Sequence, residues 1–171
     1  MNNAFPHLQV IEGIHPDQIP AKKDFGANKG CLDEICAWEH FGGLTLEQAF
    51  ERFCARPDIY QEDFMFMGWQ AFIYYLPVIE TYLYEVQQSD EFDESEAWIL
   101  ALAIASQTEK KQIGSIGDLC FRLLKLCIYV KSHLKQYAHD LKRQQEINDE
   151  WTKLENALIK KAGKCVSVKH R

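Results

Sequence analysis

The sequence predicts an all-α fold, a helical bundle forming a single domain over residues 1–171. Three observations predict it. Apolar residues recur every three or four positions through most of the chain, the period of a helix with one buried face. The stretch 118–162 contains neither proline nor glycine, the two residues that most often end a helix. Residues 60–84 hold nine of the 21 aromatic side chains, and each ring can bury roughly 150–250 Å². The core is therefore expected at 60–84, with 97–105 packed beside it.

Residues 1–30 read as an irregular N-terminal segment, since they carry three of the five prolines. Ala21 to Gly30 is polar and glycine-bearing, the composition of a loop. From Cys31 to Phe41, the apolar positions Leu32, Ile35, Cys36, Trp38 and Phe41 predict a short helix ended by Gly42-Gly43. Thr45 and Gln48 form a capping box, and Leu46, Ala49, Phe50 and Phe53 form the buried stripe of the helix that follows. Pro57 closes that helix by pushing Arg56 out of helical geometry.

The aromatic stretch then reads as a central helix kinked or broken at Pro77, which lacks an amide donor and crowds the carbonyl of Ile73. Asp93 to Glu96 is expected to start a further helix. Trp98 to Ala105 is apolar on nearly all sides, which predicts a central position. Over 118–162 one stripe runs through Leu119, Leu123, Leu126, Val130, Leu134, Tyr137 and Leu141. A second runs through Ile147, Trp151, Leu154 and Leu158. This pattern fits one long C-terminal helix, or two with a break near 142–148. Gly163 is expected to end it, leaving a basic tail over 164–171.

The composition is ordinary for a globular protein, with 47% hydrophobic and 26% charged residues. No apolar run reaches the roughly 18 residues of a membrane span, and the first residues lack the pattern of a signal peptide. A cytoplasmic protein is expected. Cys54, Cys120 and Cys127 lie in apolar helical patterns and there is no Cys-x-x-Cys, so reduced, mostly buried thiols are expected.

The net charge of −6 conceals an asymmetry. Residues 1–107 carry five Lys/Arg against 18 Asp/Glu, and residues 108–171 carry 14 against seven. The basic half interleaves its lysines with carboxylates, as a solvated helix does, so nucleic acid is not the expected partner. The acidic half predicts attraction to a basic protein.

No nucleotide loop, nucleophile elbow or metal-binding helix motif occurs, and neither a metal nor a cofactor is expected. One alternative reading is catalytic: Glu62 and Asp63 as carboxylates in an aromatic pocket lined by Trp69 and Tyr75, joined by His40. A carboxylic acid kept neutral by burial can donate a proton. The simpler expectation is that Glu62 and Asp63 cap a helix beginning near Phe64 and that His40 is structural or faces solvent.

Three segments carry a family resemblance: Trp38 to Ala49, Tyr60 to Gly68, and Ala71 to Pro77. Together they resemble a set of small bacterial proteins that share a helix, a Tyr-Gln-Glu-Asp turn and an aromatic-Tyr-Leu-Pro helix. Small acidic bacterial proteins of this general type include immunity proteins that neutralise toxins. The resemblance implies a non-catalytic inhibitor of a basic toxin and transfers no binding residue. The charge pattern names the expected contact surface. Glu47 and Glu51 project from one side of their helix, and Asp90, Glu91, Asp93 and Glu94 add a dense acidic run. Tyr84 or Phe92 would supply an apolar anchor.

Overall fold

A computed structural model describes residues 18–27, 31–85, 97–109 and 117–168, the side chains of 164–168 excepted. The described residues are helical with no strand, as the sequence predicts. The chain divides into two compact units, residues 1–85 and 86–171.

The described residues of the first unit form a 3-10 turn, Lys22–Phe25, and five helices: α1 (Leu32–Phe41), α2 (Leu46–Ala55), α3 (Pro57–Tyr60), α4 (Asp63–Phe66) and α5 (Trp69–Glu85). The 3-10 turn ties its segment to the core through Phe25, which is fully buried. Its ring meets Trp38 edge-on at 5.3 Å and Tyr75 at 6.0 Å. The turn and its anchor stand where the sequence predicts a loop, because one apolar residue in a polar stretch shows no period.

The Gly42-Gly43 pair ends α1 as expected. A Cβ on Gly42 would stand 2.4 Å from the Trp38 ring, and Gly43 turns the chain at φ +79°. The capping box that starts α2 is present in both directions: Gln48 N–H donates to Thr45 Oγ1 (3.3 Å) and Thr45 N–H to Gln48 Oε1 (3.0 Å). The predicted stripe of Leu46, Ala49, Phe50 and Phe53 is buried. It packs on α5. Phe53 meets Tyr82 edge-on at 4.8 Å, while Glu47, a turn and a half earlier, lies near Tyr74. The two helices therefore run in the same direction.

Helix α5 continues through Pro77 as one 17-residue element, about 25 Å long. It is buried from Ala71 to Leu83. Trp69, by contrast, is only half-buried. Tyr75 fixes the end of α1 against it: its hydroxyl donates to the Phe41 carbonyl at 2.6 Å, with the Leu44 carbonyl 3.0 Å away. Burial pushes the Tyr75 hydroxyl well above its usual pKa, so it stays a donor. Gly68 marks a backbone crossing. Its N–H donates to the Phe25 carbonyl at 3.0 Å, and a Cβ there would meet the Asp24 carbonyl oxygen at 2.1 Å.

In the second unit α6 (Ala97–Glu109) and α7 (Gly117–Ser132) pack on α9 (Leu141–Val168), with the short α8 (Leu134–Tyr137) between α7 and α9 in the chain. Trp151 of α9 is fully buried, and its indole N–H donates to the Ala97 carbonyl at 2.8 Å. Lys131 of α7 pairs with Glu155 of α9 at 2.5 Å. Cys120 and Cys127 are buried, and desolvation first, with Glu155 adding to it, pushes the Cys127 thiol up to about 12. Cys31, Cys36 and Cys54 are exposed, so the expectation of burial fails for Cys54.

The expected break near 142–148 lies elsewhere. The helix stops at Ser132 and again at Ala138, whose backbone is extended, and 142–148 falls inside α9. Asp140 explains the restart. Its carboxylate accepts from Arg143 N–H at 3.0 Å, three residues on, which is the N-cap bond. Leu141 therefore sits in the first turn and is 78% exposed, not part of the stripe. Gly163 does not end α9, which runs on to Val168. A glycine inside a helix costs about 1 kcal/mol relative to alanine, which does not by itself stop the helix.

Candidate functional site

Helix α1 places the site. Of the apolar positions that predict this helix, Leu32 and Cys36 are exposed and Phe41 is buried, as is Ala37. His40 comes to the edge of the buried face with 34% of its side chain exposed. Asp63 opens α4, 23 residues later, and the two side chains meet: His40 Nδ1 lies 2.8 Å from Asp63 Oδ2.

The pair is asymmetric. Asp63 is buried, at 7% exposure, whereas His40 reaches solvent. Burial pushes the Asp63 carboxyl above the usual aspartate range. The hydrogen bond and charge of His40 pull it back, and neighbouring Glu62 adds to the rise. An ionised carboxylate only accepts, so Nδ1 donates to it, and in the neutral ring that leaves Nε2 as the acceptor. Among the described residues Nε2 has no hydrogen-bond partner. Tyr60 of α3 holds the ring edge-on at 5.0 Å, and Arg52 of α2 donates to the His40 carbonyl.

The expected catalytic set is only partly assembled. His40 and Asp63 are brought together. Glu62 is exposed and makes no cap hydrogen bond, and Asp63 spends its carboxylate on His40, so neither residue fills the expected capping role. Tyr75 is fully buried and its hydroxyl is taken by the Phe41 carbonyl of α1, so it lines no accessible pocket with Trp69. An open cavity of about 460 Å³ lies elsewhere, lined by Gln18, Pro20, Lys23, Asp24 and Gln70 among others. Among the described residues no group of three or more His, Cys, Asp or Glu side chains is placed to hold a metal.

Of the expected contact surface, Glu47 and Glu51 are exposed on α2, and neither forms an ion pair among the described residues. Tyr84 is half-buried. Asp90, Glu91, Phe92, Asp93 and Glu94 lie outside the described residues. The first unit carries five Lys/Arg against 13 Asp/Glu, a balance of −8, and the second 14 against 12, a balance of +2. No described helix is long and apolar enough to cross a membrane. Comparison with protein-family models, with curated proteins and with solved structures returns no match.

Proposed function

We propose that the chain is a non-catalytic protein-binding module whose acidic N-terminal unit engages a basic partner, in its most specific form a toxin that it neutralises. One observation carries the reading: a compact unit with a balance of −8 keeps Glu47 and Glu51 exposed on α2, without an ion pair among the described residues and opposite a sealed apolar face. Unpaired carboxylates on one helix face speed encounter with a cationic surface, and the rate falls as salt is raised. The resemblance of residues 38–49, 60–68 and 71–77 to small bacterial proteins supports the immunity-type form. The partner is sought by co-purification, and Glu47 and Glu51 are then reversed to lysine together. Slower association at low salt, by a folded variant, is expected; an unchanged rate removes α2 from the contact.

A second reading is favoured by the His40–Asp63 pair, which is built like the base and orienting carboxylate of a hydrolase. It stands second because no nucleophile lies within hydrogen-bond reach of the His40 ring among the described residues. A small molecule that raises the melting temperature of the wild type and not of His40→Gln would bring it first.

A further inference from the structure

At 100° per residue, Leu32, Asp33, Cys36, Glu39 and His40 fall within about 120° of arc on α1. All are exposed except half-buried His40, and Leu32 keeps 75% of its surface. An aliphatic side chain, a thiol and an imidazole thus share one outward face. Asp33 and Glu39 flank them, and Glu62 adjoins Asp63 in the chain. None of these three carboxylates forms an ion pair among the described residues. An apolar centre with a charged rim is the anatomy of a protein interface.

The imidazole gives this face a chemical preference. With Nδ1 held by Asp63 and 34% of the side chain exposed, Nε2 of the neutral ring is an oriented acceptor. Lysine and arginine side chains donate and never accept, and surrounding carboxylates complement their charge.

We propose that the outward face of α1 docks a basic segment of a partner protein, with a lysine or arginine donating to His40 Nε2 and an apolar neighbour covering Leu32. The inference rests on the protein-binding reading and adds α1 to the contact surface.

Among the described residues only Asp63 bonds the ring, and Arg52 is spent on the His40 carbonyl.

The test uses the isotope-labelled full chain and a synthetic amphipathic peptide of leucine and lysine, followed by NMR. The resonances of Leu32, Cys36 and His40 should shift as the peptide is added. His40→Gln should bind about tenfold more weakly, the loss of a charge-assisted hydrogen bond. Leu32→Asp leaves the His40–Asp63 bond untouched and should also lose binding, which covers the case of a poorly folded His40 variant. Shifts confined to Glu47 and Glu51 would overturn this face and leave the module reading standing. A spectrum unchanged by the peptide would count against both.

Discussion

His40 and Asp63 show how a single contact links stability to pH. With its pKa raised by burial, folded Asp63 takes up a proton before the unfolded chain does as the pH falls. Between its folded pKa and the ordinary aspartate value the native state therefore holds more protons, so stability from this group rises on acidification and falls as pH rises. Urea unfolding of wild type and Asp63→Asn from neutral to mildly acid pH should show this slope in the wild type and its loss in the variant. Gly68 makes a second prediction at this scale. The Asp24 carbonyl stands where its Cβ would go, and that neighbour is backbone that cannot swing aside. Gly68→Ala should cost about 1–3 kcal/mol, the range for overpacking, read as a lowered urea midpoint. Neither contact was legible in the sequence. Asp63 reaches His40 across 23 positions and Gly68 bonds the Phe25 carbonyl from a distant turn, and no local period records such a meeting.

Among the elements, α2 and α5 carry most of the buried aromatic surface of the first unit. Phe72 is fully buried in α5 while Trp69, one turn earlier, is half-exposed and lies 5.9 Å from it. Phe72→Ala should cost about 3–5 kcal/mol by urea denaturation, and Trp69→Ala distinctly less. The α9 cap gives a smaller effect: Asp140→Ala should lose about 0.5–2 kcal/mol and loosen the amides of the first turn in hydrogen exchange. The stripe of α2 was legible because four apolar residues and a capping pair all pointed to one face. The start of α9 was missed although Asp140 precedes Leu141 as an N-cap should. The apolar stripe drew Leu141 into the preceding element, and the polar run after it looked like a break. On α1 the apolar residues surrounded the helix, so periodicity could not choose a face. The partner of Tyr75 then fixed what the pattern left open.

For the whole molecule, the division at residue 85 sharpens the charge pattern. The acidic excess sits in the first unit at −8, while the second is close to balance at +2. Association with a basic partner should therefore slow steeply between low and physiological salt for the full chain, measured by stopped flow, and reversal of Glu47 and Glu51 should flatten that dependence. The indoles are shared evenly as well. Trp38 and Trp69 belong to the first unit, Trp98 and Trp151 to the second. Trp151 alone among them is fully buried, with its N–H held by the Ala97 carbonyl. That bond makes the second unit optically addressable: with the other three tryptophans replaced by phenylalanine, the emission colour of the remaining indole reports when α6 parts from α9.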